Sequence, residues 1–153
     1  MVLYLVQHGK SLARDADPEQ GLSPEGIAET ERIAGVARSY AVGISRIRHS
    51  LKKRARQTAE IFAAALAPTQ GVEAVKGIQP LDDVVPAARR LSGDDGLMLV
   101  GHLPFMSRLT SYLITGAIEP AVFRFQNSGI VCLEPDPKGA AWVIRWTLMP
   151  HID

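Results

Sequence analysis

Val2-Leu3-Tyr4-Leu5-Val6-Gln7-His8-Gly9, residues 2–9, holds five apolar residues without a break and then turns polar. An unbroken apolar run of this length, ended by glycine, reads as a strand buried on both faces. Such strands belong to parallel sheets covered by helices on each side. Residues 2–6 are therefore predicted as a strand, with His8 and Gly9 just past its carboxyl end. Leu97-Met98-Leu99-Val100 repeats the pattern and runs into Gly101 and His102.

Between these runs, helix and strand patterns alternate. Ser23 at an N-cap, Pro24 at the first helical position and Glu25 in the first turn start a helix that runs to about Tyr40. Ile27, Ile33, Ala34 and Ala37 are expected on its buried face. Residues 44–50 alternate like a short strand, and residues 51–66 are helical, with Ala55, Ala59, Phe62, Ala63 and Leu66 spaced for burial. A short strand is expected over 72–76, a loop and helix over 80–91, and a helix from Pro104 to about Thr115. Residues 129–150 read as two strands joined by a Pro/Gly turn. Trp142 and Trp146, four apart, are expected on one face of the last strand. The expected fold class is α/β, a three-layer single domain over residues 1–153 with a mostly parallel central sheet and helices on both faces.

Composition narrows the function. The chain has 153 residues, 46% of them hydrophobic, and a net charge of +1. No global field recruits nucleic acid or a membrane, and no segment approaches the ~20 apolar residues of a membrane span. The first residues enter a strand pattern without a basic leader, so a cytoplasmic location is expected. The single cysteine, Cys132, lies in an apolar run and reads as core; alone it supports no disulfide and no cysteine-based metal site. The basic run Arg46, Arg48, Lys52, Lys53, Arg54 and Arg56 has no interleaved aromatics, so a solvated helix face is the simpler reading.

The histidines carry the chemistry. Ligands of open α/β sheets bind outside the carboxyl ends of strands, where His8 and His102 both fall. The flanking glycines, Gly9 and Gly101, would let the backbone approach a ligand closely. Ser50 is expected to cap the helix that follows it, placing Lys53 and Arg54 in a first turn whose N–H groups attract anions. Two imidazoles, a guanidinium and a helix N-terminus suit a phosphoryl group. Ser11 would touch the phosphate or cap a turn. Asp82 and Asp83 read as capping or solvated groups more readily than as catalytic ones, and His49 and His151 as structural or exposed.

At this point the chain resembles the histidine phosphatase superfamily, a phosphoglycerate mutase-like group, in its small SixA-type phosphohistidine phosphatase branch. Gln-His-Gly stands where the family has Arg-His-Gly. Leu-Ser-Pro-Glu-Gly at 22–26 matches its helix start, the stretch from Ser50 through Arg54, Gln57, Thr58 and Ala59 matches its second motif, and Val-Gly-His-Leu-Pro at 100–104 matches the second catalytic histidine. The resemblance implies a hydrolase in which His8 is the nucleophile, Arg54 clamps phosphate oxygens, and His102 donates to the phosphoryl group. It implies phosphate contacts from Gln7, His8, Ser11, Arg54 and His102, an acid at Asp82 or Asp83, and no metal or cofactor. The short interval between Thr58 and His102 implies an open groove. The expected partner is a phosphorylated protein carrying phosphohistidine, or a small phosphomonoester.

Gln7 departs from the family pattern. Its amide donates hydrogen bonds but carries no charge. Arg14, Arg48 and Lys52 are the cations that might make up for the missing guanidinium. A non-catalytic module that binds phosphate or a phosphoprotein is the alternative that Gln7 leaves open.

Overall fold

The computed structural model describes residues 1–91 and 95–152. The elements are β1 (Leu3–Gln7), α1 (Pro24–Ser39), β2 (Arg46–His49), α2 (Lys53–Leu66), β3 (Val72–Ala74), α3 (Val84–Arg89), β4 (Leu97–Gly101), α4 (Phe105–Thr115), β5 (Ile130–Pro135) and β6 (Trp142–Leu148). They build one six-stranded sheet in the order β3-β2-β4-β1-β5-β6. The four strands β3, β2, β4 and β1 run parallel. β5 pairs antiparallel to β1, and β6 antiparallel to β5, so the sheet is mixed at that edge.

Alternation along β1 divides the core. Leu3 and Leu5 face α3 and α4, packing with Val84, Ala87, Phe105, Met106 and Leu109. Tyr4 and Val6 face α1 and α2, packing with Ile33, Ala37, Ala55, Ala59 and Phe62. Both faces of the central strands are thus covered by helices, which is why those strands read as unbroken apolar runs.

Two local expectations are corrected. Ile27 is exposed, and α1 instead turns Gly26, Glu29 and Thr30 inward. The first turns of this helix pack against the polar backbone that follows β1, so small and polar side chains replace the apolar stripe. Trp142 and Trp146 do not share a face. β6 is bulged, with Cys132 opposite Trp146 and Leu133 opposite Ile144. The extra residue, Arg145, resets the alternation. Trp146 packs on the α1/α2 side, while Trp142 joins the α3/α4 side.

The N-terminus of α1 is fastened to the chain just past His8. Ser23 caps it, accepting from the Gly26 N–H at 3.0 Å, and the Ser23 N–H donates to the Lys10 carbonyl at 2.9 Å. A Cβ on Gly26 would fall on that same carbonyl. Gly→Ala inside a helix normally gains ~1 kcal/mol. Here Gly26→Ala is expected to lower stability by ~1–3 kcal/mol, because backbone must move to admit the methyl group. Urea unfolding midpoints measure the sign.

Candidate active site

The connections leaving β1 and β4 diverge: β1 leads to α1 on one face, and β4 leads to α4 on the other. A crevice opens outside their carboxyl ends, the topological switch point at which α/β sheets bind ligands. The parallel register sets Gln7 beside Gly101, and the His8 N–H donates to the Gly101 carbonyl at 2.9 Å. His8 and His102 therefore leave neighbouring strands side by side. Their ring centroids lie 5.0 Å apart, with planes tilted by 56°.

The His8 ring has a defined tautomer. Its Nδ1 lies 2.7 Å from the Gly9 carbonyl. A carbonyl only accepts, so Nδ1 carries the proton and Nε2 keeps a lone pair. Burial lowers the His8 pKa, the hydrogen bond to Gly9 opposes that shift, and the Arg54 charge adds to it. The neutral, nucleophilic form persists below the usual histidine range.

Gly9 serves packing. A Cβ there would meet the Thr30 hydroxyl at 2.8 Å, the Ser128 hydroxyl at 3.0 Å and Leu22 at 3.1 Å. The two hydroxyls bond each other at 2.6 Å. The Gly9 N–H donates to the Thr58 hydroxyl at 2.9 Å, and Asn127 donates from Nδ2 to the His8 carbonyl at 2.8 Å. Gly101 likewise abuts Met106. Glycine at position 9 is required by close packing beneath the site, whereas at Gly101 the neighbour is the end of the flexible Met106 side chain.

His102 is 2% exposed. Its Nε2 is 2.6 Å from the Ser50 hydroxyl, while Nδ1 is buried with no partner among the described residues. A buried nitrogen left in that state costs free energy until a ligand meets it. Burial, then the charges of His8, Arg54 and Lys52, push its pKa down to about 3. Ser50 is thus a partner of His102, which corrects its expected capping role. Lys52 holds the N-cap position of α2, without a capping side chain.

Arg54 lies in the first turn of α2, half-buried, with no ion-pair partner among the described residues. Burial and the neighbouring Arg14 lower its pKa. Lys53, expected beside it at the anion, is instead paired with Asp17 at 3.0 Å. Gln7 is the last residue of β1, and its Oε1 is buried with no partner among the described residues. Ser11 is half-buried, bridging to Leu22 through its backbone.

The two candidate acids have local partners. Asp82 accepts from the Gln79 N–H at 2.9 Å, and Asp83 caps α3, accepting from the Val85 N–H at 3.0 Å. Neither shares a hydrogen bond or ion pair with His8, Arg54 or His102 among the described residues. His49 is buried, with its Nδ1 donating to the Ser50 carbonyl; exposed His151 meets Glu29 at 2.8 Å. Among the described residues no three His, Cys, Asp or Glu side chains are grouped to hold a metal ion.

Sequence reasoning missed the roles of Ser50, Thr58, Asn127 and Ser128. Ser50 had a signal, since it follows β2 at the same edge as the histidines. Thr58 sits one turn after Arg54, on the buried face of α2. Asn127 and Ser128 precede an antiparallel strand, and no periodicity marks them.

Holding imidazoles neutral has a cost in acid. The folded state binds fewer protons than the unfolded chain below the ordinary value of 6.5 and, for His102, down to about 3. Stability is therefore full above ~6.5 and falls as pH drops, by ~1.4 kcal/mol per pH unit for each such histidine. His102→Gln is expected to lose less stability than the parent between ~pH 7 and ~pH 4 in urea titrations. Equal losses would show that this imidazole is not held neutral.

The geometry can be set beside known proteins. No curated protein matches the chain by sequence. Among solved structures, it is similar to the protein histidine phosphatase SixA complexed with tungstate, at 24% identity and a TM-score of 0.85, covering 98% of this chain and 97% of that one. It is similar to a protein described as phosphohistidine phosphatase SixA from Agrobacterium tumefaciens, at 25% identity and a TM-score of 0.77, with 97% of each chain covered. The alpha-ribazole phosphatase from Shigella flexneri has a TM-score of 0.77 at 16% identity, covering 100% of this chain and 98% of that one. The family model for the histidine phosphatase superfamily (branch 1) matches residues 3–80. With the two histidines facing each other across β1 and β4, the chain belongs to the histidine phosphatase superfamily.

Proposed function

We propose that this protein is a phosphatase that takes a phosphoryl group from phosphohistidine in a protein onto His8 and passes it to water. The observation that carries the reading is the His8 ring: Nδ1–H is tied to the Gly9 carbonyl, and the neutral Nε2 stands beside a buried His102 and an Arg54 with no ion-pair partner among the described residues. In the first step the Nε2 lone pair attacks phosphorus, and the bond from phosphorus to the leaving group breaks with its electron pair on that group. In the second step water attacks phosphorus, the P–N bond to His8 breaks, and the imidazole is restored.

Arg54 and His102 supply the electrostatics. Arg54 grips phosphoryl oxygens through its guanidinium. If the Ser50 hydroxyl donates to His102 Nε2, Nδ1 carries a proton, and a phosphoryl oxygen is the acceptor that this buried donor lacks. These cationic and polar groups meet the negative charge of the transferring phosphoryl group, so the reading assigns no step to a metal or cofactor.

The local roles of Asp82 and Asp83 favour a substrate that needs no carboxylic acid. A phosphohistidine ring protonated on its other nitrogen leaves as neutral imidazole. Exposed Leu51 and Leu103, each directly after a site residue, suit a protein surface better than a small sugar phosphate. The likeness to SixA proteins supports the same substrate. The second reading, a phosphate-binding module without turnover, is favoured by Gln7, which leaves position 7 neutral.

Reaction with a labelled phosphoryl donor, followed by an alkaline quench and mapping, is expected to place acid-labile phosphate on His8. His8→Ala should abolish both label and turnover. Label on another residue overturns the assignment, and phosphate binding without turnover favours the binding module. Activity is expected to be unchanged in EDTA; loss restored by a divalent ion would refute the metal-free scheme.

A further inference from the structure

We infer that Arg14 is a substrate-binding residue of this chain: carried by the loop after β1, its guanidinium joins Arg54 on the phosphoryl group and replaces the arginine missing at position 7. The inference rests on the phosphatase reading only for what the anion is.

The loop from Leu12 to Gly21 is built onto the start of α2. Its base is closed by the Leu12 N–H to the Gly21 carbonyl at 2.8 Å and by the Ser11–Leu22 bridge. Its turn is closed by the Ala16 and Asp17 N–H groups on the Ala13 carbonyl, at 3.1 and 3.0 Å. The Asp17 carboxylate accepts from the N–H groups of Glu19 and Gly21 and from Lys53 at 3.0 Å. The Leu22 N–H reaches Gln57 at 2.7 Å. Gly21 lies so close that a Cβ would meet Lys53, Gln57 and Asp17. Position 14 falls in the closed turn of this loop, which is bonded to α2 at Lys53 and Gln57, on either side of Arg54 in the helix.

Charge decides what this placement is for. Of the loop's three acids, Asp17 and Glu19 pair with Lys53, and Asp15 is exposed with no ion pair among the described residues. Arg14 and Arg54 are close enough for the first to disfavour the charge on the second, yet neither has an ion-pair partner among the described residues. Two guanidinium groups held together without a counterion repel, and an anion bound between them turns that repulsion into attraction on both sides. The other cations are placed differently. Arg48 is paired with Glu73 at 2.8 Å. Lys53 is committed to the loop, and Lys52 acts near His102. Arg14 is exposed. The buried His102 Nδ1 also has no partner among the described residues.

The test is orthophosphate binding by calorimetry and kcat/KM for an aryl phosphate, with Arg14→Ala, Arg14→Lys, Gln7→Arg and the double variant Gln7→Arg/Arg14→Ala. Arg14→Ala is expected to weaken both by ~10–100-fold, the scale of a charge-assisted hydrogen bond. Arg14→Lys, which keeps charge but not the fork, should fall between. In the Gln7→Arg background the loss should shrink to ~3-fold or less, because one guanidinium then covers for the other. A merely structural role would give the same loss in both backgrounds, and that result overturns the inference. So does unchanged phosphate binding in Arg14→Ala, even where His8-dependent turnover upholds the phosphatase reading. Arg14-dependent phosphate binding without turnover in any variant upholds this inference and refutes the phosphatase reading instead.

Discussion

The parallel pairing of β1 with β4 is the constraint on which the site depends. Leu3 lies beside Leu97 and Gln7 beside Gly101, so each strand ends at the same level. One residue further on, His8 and His102 emerge together. A slip of one residue would turn every β1 side chain to the other face, moving Leu3 and Leu5 out of the α3/α4 core and Tyr4 and Val6 out of the α1/α2 core. Packing on both faces therefore holds the register, and the register holds the two imidazoles at 5.0 Å. The core does chemical work here only through this alignment.

Beneath the histidines lies a small polar layer that keeps the backbone still. Thr58 takes the Gly9 N–H, Asn127 reaches the His8 carbonyl, and Thr30 and Ser128 bond each other where a side chain at position 9 would sit. These groups come from α2, the segment before β5, and α1. Each sets a different element against His8 or Gly9. Buried polar groups fully paired in this way fix one geometry, since any other leaves a donor or acceptor unsatisfied. The His8 ring inherits that rigidity through its bond to Gly9.

Electrostatically the crevice is short of negative charge. His8 and His102 are held neutral by burial and by nearby cations, Arg54 and Arg14 lack counterions among the described residues, and Asp17 and Glu19 of the neighbouring loop are paired with Lys53. An anion entering this place gains from every group at once, and none has to reorient a solvent shell first. Gln7 is neutral at the end of β1, and the proposed source of a further positive charge is Arg14 on the loop that follows.

Much of this was legible in the residues themselves. Continuous apolar runs before His8 and His102 mark buried strands, Ser23-Pro24 marks the start of α1, and the alternation of strand and helix patterns marks the α/β class. These signals are local, because periodicity records how one element is buried along its own length. Which elements become neighbours is not local. Ser50 reads as a cap until β2 is placed next to β4, where its hydroxyl finds His102. Trp142 and Trp146 read as one face until pairing with β5 forces a bulge between them. Arg14, Arg48 and Lys52 are equivalent as letters, and only the sheet order sends Arg48 to Glu73 while the loop that carries Arg14 is bonded to the start of α2. Sequence by itself determined the layers and which residues stand at the strand ends. The partners of those residues were decided by strand order, register and loop docking, because these come from packing between segments far apart in the chain.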